Sequence, residues 1–221
     1  MKWIIPAILV FTLLSVSGCK DKGQHIANEN GFAVLPHLKQ GEAVATFAGG
    51  CFWAMQESII QLKGVNTVIS GYAGGTTANP TYDEVLSKNT GHAESVQVYY
   101  NPEQISFEQL LQAFFLAHDP TQLNRQGSDI GSDYRSIAFY RNPGELKAIV
   151  KTINQLESKK HARHSIVTEL ESFQVFYPAE SAHQDYYENN SWDPYIRNVS
   201  KPKVMHVRKE LPNLIKQTYL K

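Results

Sequence analysis

The sequence predicts an α/β (α+β) fold: a two-layer sandwich in which a mixed β-sheet carries flanking helices. Three observations lead there. From residue 43 onward, short segments of strand-like alternation take turns with longer ones whose apolar residues recur at helical spacing. The 221 residues suffice for one domain of ordinary size with a sizeable core. No internal repeat or low-complexity block breaks the pattern.

The elements follow in order. "AVATFAGG" is a short strand stopped by Gly49-Gly50. "FWAMQESIIQLKG" places Phe52, Met55, Ile59 and Leu62 at helical spacing, with Gly64 as the stop. "VNTVISGYAGG" is a strand running into a glycine loop, "YDEVLSK" a short helix, and "HAESVQVYY" an alternating strand. "SFEQLLQAFFLAHD" is a helix capped by Ser106, with Glu108 in its first turn and Pro120 beyond its end. "DYRSIAFY" is a strand, and "NPGELKAIVKTINQLESKK" is a helix begun at Asn142-Pro143. "IVTELESFQVFYP" is extended and "AHQDYYENN" a helical turn; the closing "VRKELPNLIKQTYLK" is basic, partly amphipathic and broken by Pro212.

The first residues stand apart. "MKWIIPAILVFTLLSVSGC" has a lysine, an apolar run and small residues before Cys19, the shape of a secretory signal. Its ending resembles the lipobox of bacterial lipoproteins, which implies cleavage before Cys19 and lipidation of that residue. The expected organisation is a signal peptide over 1–18, a lipidated N-terminus and polar tether over 19–42, the domain over 43–200, and a C-terminal tail over 201–221 that lacks cysteine. The expected location is exported and membrane-anchored through lipid. Lys20, rather than aspartate, follows Cys19, which favours the outer membrane facing the periplasm. Acidic and basic residues balance at 21 each, so charge gives no case for nucleic acid. A monomer is expected.

With Cys19 lipidated, Cys51 is the single free thiol, and no internal disulfide forms. An unpaired cysteine in an exported protein calls for a reason. Cys51 sits at a strand-to-helix turn, behind two glycines that let the backbone bend. Unpaired N–H groups and the helix dipole favour an anion there, so a thiolate with a lowered pKa is expected. The same position also suits a small buried hydrophobe. On the strand "HAESVQVYY", Glu94 shares a face with Val96 and Val98. Burial there raises its pKa and makes it a proton donor; a glutamate bending out to water at the strand's start fits the local pattern too.

The chain resembles a known family at this point. "GCFWAMQE", "GYAGGTTANPTYDEV", "GHAESVQV", "HDPTQLNRQGSDIGSDYRS" and "YPAESAHQDYY" are similar, in order, to the motifs of the A-type peptide-methionine sulfoxide reductases. The resemblance runs from about residue 44 to about 198. It implies that Cys51 attacks the sulfoxide sulfur and is left as a sulfenic acid, while Glu94 protonates the oxygen. It implies that Tyr82 and Tyr134 hydrogen-bond that oxygen, that Phe52 and Trp53 cup the methyl group, and that Asp129 lies near the substrate backbone. The implied substrate is the S epimer of methionine sulfoxide, free or in oxidised proteins. His183 is read as a supporting residue. No cofactor is expected, and no histidine pair has the tight spacing of a metal site.

Many members carry further cysteines in a C-terminal segment that resolve the sulfenic acid. "SKPKVMHVRKELPNLIKQTYLK" has none, so the expected reductant is an external thiol: a thioredoxin-like domain, a glutaredoxin or a small thiol. Three other readings stand beside this one. One is a cysteine hydrolase pairing Cys51 with His92, His118 or His183. Another is a tethered domain that binds oxidised methionine without reducing it. The third is a periplasmic structural lipoprotein, which leaves the motif set unexplained.

Overall fold

The structure, a computed structural model, describes residues 27–159 and 165–220. The apolar leader and Cys19 lie outside the described residues. In chain order the elements are β1 (Ala43–Gly49), α1 (Phe52–Ile60), β2 (Val65–Ala73), α2 (Tyr82–Leu86), β3 (Ala93–Tyr100), α3 (Phe107–Ala117), β4 (Arg125–Gln126), β5 (Asp129–Ile130), β6 (Ser136–Tyr140), α4 (Pro143–Lys159), β7 (Glu169–Ser172), β8 (Phe176–Pro178), α5 (Tyr186–Asn189) and α6 (Lys201–Glu210). Six strands form one sheet in the order β7-β6-β1-β3-β2-β8. Only the β6–β7 pairing is parallel, so the sheet is mixed, as the sequence predicts.

Alternation along the central strands divides the core in two. Phe47, Val96, Val98 and Tyr100 face the helices, where Phe47 stacks on Phe114 of α3 at 4.9 Å between ring centres. Ala48, Ala93, Tyr99 and Ile137 face the other way, against Phe176, Ala33 and Leu35. Every residue of β3 is buried, because both faces are covered. Ser106 caps α3 as expected: its hydroxyl accepts from the Gln109 N–H while the Gln109 side chain accepts from the Ser106 N–H.

The stretch read as one extended run, "IVTELESFQVFYP", is two strands at opposite edges of the sheet. Between them Phe173 crosses the second face, with its N–H bonded to the Tyr140 carbonyl and the Arg141 guanidinium 3.9 Å above its ring. The hairpin of β4 and β5 is too short to show a period in sequence.

Both flanks of the domain are packed against it. Residues 27–35 lie along the chain that follows β8: the Ala33 N–H donates to the Ala179 carbonyl and the Ser181 N–H to the Gly31 carbonyl. In the C-terminal segment Val204, Val207 and Ile215 are buried, and Leu62 pairs with Ile215 in an isolated bridge. The Lys216 ammonium donates to the carbonyls of Ile60 (2.6 Å) and Val65 (2.9 Å), placing a cation at the C-terminal end of α1. Sequence patterning misses this because short 3₁₀ turns carry no periodic signal.

Candidate active site

The end of β1 and the start of α1 set the centre of the site. Gly50 holds φ +78°, and a Cβ there would come 2.5 Å from the Gln126 Cγ. Gln126 has little freedom to yield: it is buried, accepts from the Asp119 N–H and donates to the Asp119 carbonyl. Gly50→Ala is therefore expected to cost about 2–4 kcal/mol in stability from left-handed strain and overpacking. A lowered urea midpoint at unchanged m-value would register it.

Cys51 caps α1 and is only 5% exposed. Burial pushes its thiol well above the ordinary cysteine range, and the Glu94 charge adds to that. The neighbouring Tyr195 hydroxyl and the Trp53 and Ala54 amides favour the anion and pull the other way. The expectation of a lowered pKa is thus corrected. The helix-terminal donors are present, but desolvation outweighs them.

Glu94, on the second residue of β3, is 2% exposed and lies on the Val96–Val98 face as predicted. Its Oε2 accepts from the Phe52 N–H at 2.9 Å, so the carboxyl occupies the first free donor of the helix that Cys51 begins. Burial raises its pKa from 4.5 to about 8. The Phe52 bond opposes this, the nearby charges of Asp133 and Asp129 add to it, and Lys203 of α6 opposes it. Glu94 is therefore mostly protonated at neutral pH and can donate.

Aromatic rings form the surrounding wall. Phe52 is 1% exposed and lies 6.2 Å from Trp53, 6.2 Å from Tyr82, 5.9 Å from Tyr72 and 5.6 Å from His183, between ring centres. Trp53 stacks on Tyr186 at 3.8 Å and meets the edge of Tyr195 at 5.8 Å. Its indole N–H is buried without a hydrogen-bond partner among the described residues. Tyr82 and Tyr134 are half-buried, and burial followed by the Glu94 charge raises both phenols. Both therefore remain neutral donors. Asp129 accepts from the Tyr195 hydroxyl at 2.6 Å. His183 packs against Tyr82 with the rings tilted, 4.2 Å between centres, and burial lowers its pKa, so it is a neutral packing partner.

All seven of the predicted residues around the thiol (Cys51, Phe52, Trp53, Tyr82, Glu94, Asp129 and Tyr134) belong to this one cluster, through the contacts and charge interactions just given. Cys19 lies outside the described residues. Sequence reasoning missed Tyr195, which reaches both Cys51 and Asp129, and Tyr186. It also missed Glu180, whose carboxylate accepts from the Tyr82 N–H (2.9 Å) and the Tyr72 hydroxyl (3.0 Å). The aromatic repeat within "HQDYYENNSWDPYIRN" was the available signal.

None of the three histidines of the hydrolase alternative is placed as a base for Cys51. His118 Nδ1 is 2.8 Å from the Phe114 carbonyl, which only accepts, so Nδ1 carries the proton and Nε2 accepts from the Ser136 hydroxyl at 2.7 Å. His92 accepts from the Gly75 N–H through Nδ1 and donates through Nε2 to the Thr77 carbonyl. Among the described residues no histidine nitrogen is hydrogen-bonded to Cys51.

Comparison with known proteins gives one consistent family. The family model described as peptide methionine sulfoxide reductase matches residues 43–214. The peptide methionine sulfoxide reductase MsrA of Natronomonas pharaonis is 49% identical over 166 residues, covering 75% of this chain and 93% of the relative. The MsrA of Acinetobacter baumannii is 44% identical over 172 residues, covering 78% and 98%. Among solved structures, reduced Mxr1 from Saccharomyces cerevisiae superposes with a TM-score of 0.66 at 31% identity, over 71% of this chain and 91% of that one. Methionine sulfoxide reductase A of Corynebacterium diphtheriae superposes with a TM-score of 0.62 at 29% identity, over 76% and 92%.

Proposed function

The chain belongs to the peptide methionine sulfoxide reductase family of oxidoreductases, and from that premise we propose that it reduces the S epimer of methionine sulfoxide through a sulfenic acid on Cys51. The observation that carries the mechanism is the placement of a buried carboxyl of raised pKa and a buried thiol at the same helix start. Glu94 delivers a proton to the sulfoxide oxygen and weakens the S–O bond. Tyr82 and Tyr134, as neutral phenols, donate hydrogen bonds to the same oxygen. Cys51 supplies the electron pair. The net exchange moves oxygen from the methionine sulfur to the cysteine sulfur: the sulfoxide is reduced by two electrons, and the thiol is oxidised to the sulfenic acid.

The raised thiol pKa fits this order of events. Most of the added cost of a Cys51 anion comes from burial and, where Glu94 is ionised, from its charge. A protonated Glu94 removes that repulsion, and substrate bearing a developing positive charge at sulfur favours the thiolate further. Phe52 and Trp53 take the methyl group. Asp129, held by Tyr195, faces the substrate's polar backbone. Meeting the methyl wall and the oxygen donors together selects one configuration at sulfur.

The sequence has only two cysteines, Cys19 and Cys51. With Cys19 lipidated, the sulfenic acid is returned to thiol by an external reductant of thiol class: thioredoxin-like, glutaredoxin or small thiol. The leader and the lipobox-like ending support an exported lipoprotein that repairs oxidised proteins at the membrane, in the outer membrane facing the periplasm. One experiment tests the chemistry. Full-length chain in detergent, incubated with excess S-epimer methionine sulfoxide and no reductant, is expected to form about one equivalent of methionine per chain and to leave Cys51 as a sulfenic acid. Methionine yield with the thiol intact would refute the covalent route, and absence of methionine would refute the reductase reading.

A further inference from the structure

The arm formed by residues 27–35 lies outside residues 43–214, the region the family model matches. It is nonetheless built onto the domain. Asn28 Oδ1 accepts from the Asn30 and Phe32 N–H groups at 2.9 and 3.0 Å, which shapes a tight turn. Phe32 and Glu180 form an antiparallel bridge, and Ala33 is buried against the second face of the sheet. Between this arm, the loop before α2 and the edge strand β8 lies a cleft of about 340 Å³, lined by Asn28, Asn30, Phe32, Asn79, Pro80, Tyr177 and Pro178.

Two features join this cleft to the site described above. Pro80 is two residues before Tyr82, so the cleft and the oxygen-binding phenol share one short stretch of chain. Glu180, which the arm bridges, holds the Tyr82 N–H and the Tyr72 hydroxyl. The lining has no charged side chain. It offers the carboxamides of Asn30 and Asn79, each able to donate and accept, and the Asn28 amide as a further donor, beside two aromatic rings and two prolines. That set matches peptide backbone flanked by an uncharged side chain; it has nothing to neutralise the ammonium or carboxylate of a free amino acid. The volume is at the lower end of ligand clefts, about 300–1,000 Å³, which suits one or two residues of a larger ligand. Asn79, at φ +49°, sits in the left-handed region, where its carboxamide is presented from a fixed turn.

We propose that this cleft, built by an arm outside the family-matched region, is a subsite for uncharged polypeptide flanking an oxidised methionine. The proposal rests on the reductase reading, because the substrate's sulfoxide must occupy the Cys51 site while its flank occupies the cleft.

The test uses the full-length chain and its Asn30→Ala/Asn79→Gly double variant. Glycine keeps the positive φ at position 79, and both positions are exposed, so the fold is retained. The substrates are free S-epimer methionine sulfoxide and two blocked, uncharged peptides, one extended by four residues on the amino side of the sulfoxide and one on the carboxyl side. The unsubstituted chain is expected to prefer one of the two peptides over the free amino acid. The double variant is expected to lose roughly five- to ten-fold in kcat/KM on that peptide, mostly through KM, the scale of one or two lost hydrogen bonds. Its rate on the free amino acid should stay within about two-fold of the unsubstituted chain. Equal loss on all substrates, or no loss on either peptide, overturns the subsite. Failure of the unsubstituted chain to reduce any of the three substrates overturns the reductase reading instead, and the subsite with it.

Discussion

Cys51→Ser is expected to abolish reduction of methionine sulfoxide, lowering turnover by roughly four orders of magnitude or more. The reason lies in where the oxygen goes. Sulfur accepts it to give a sulfenic acid, a stable rung of cysteine oxidation. A serine oxygen accepting the same atom would become a hydroperoxide, a far less stable product, so no repositioning of donors rescues the step. The variant should remain folded. The position is the cap of α1, and serine is among the preferred residues there, so the thermal midpoint should be unchanged or higher. The check is methionine formed per chain, alongside a melting curve. A variant that still turns over would remove Cys51 from the chemistry.

Glu94→Gln is expected to lower kcat by about 10²–10⁴, the usual range for loss of a positioned proton donor. Glutamine keeps an oxygen to accept from the Phe52 N–H, so the helix start is preserved while the proton is lost. The pH profile separates this from simple damage. With the carboxyl raised to about 8, the donor form is present below that pH, and activity of the unsubstituted chain should fall as pH rises through about 8. The variant's residual rate should lack that limb. Stability follows the same group. Because the folded pKa lies above the ordinary 4.5, the native state binds more protons than the unfolded state between 4.5 and about 8. Glu94 therefore makes stability decline with rising pH across that window. Relative to the unsubstituted chain, the glutamine variant should gain stability between pH 5 and pH 9, as two urea titrations would show. An unchanged difference at the two pH values would mean that Glu94 is not held protonated in the native state.

Much of the frame was legible because its signals are periodic or local. The caps and spacings of α1 and α3, and the alternation of β3, are written within a dozen residues each, and the alternation alone puts Glu94 on the helix-facing side. The thiol's electrostatics were not legible. The turn and helix dipole are local features that argue for a lowered pKa, whereas burial is a property of the assembled domain, and burial is the larger effect. Tyr195 was missed for a related reason. It stands in a single helical turn that runs into a π-helical stretch, Ile196–Ser200, where no period marks a face, and its hydroxyl gains meaning only from Asp129 sixty-six residues earlier. The polar composition of residues 20–42 reads as a tether, because backbone docking such as that of Gly31 and Ala33 leaves no trace in side-chain pattern.

The anchoring of α1 from both directions has a consequence for the order in which the protein is made. The helix that begins at the nucleophile is completed at its start by Glu94, 42 residues further along the chain, and at its end by Lys216 and the Leu62–Ile215 bridge, more than 150 residues further along. A nascent chain emerging from its amino end therefore carries the reactive thiol long before it owns the parts that shield it. Maturation of the thiol's environment is a late event of biosynthesis, and an unfinished chain exposes its cysteine to whatever oxidants and disulfide-forming enzymes the compartment of synthesis or export contains.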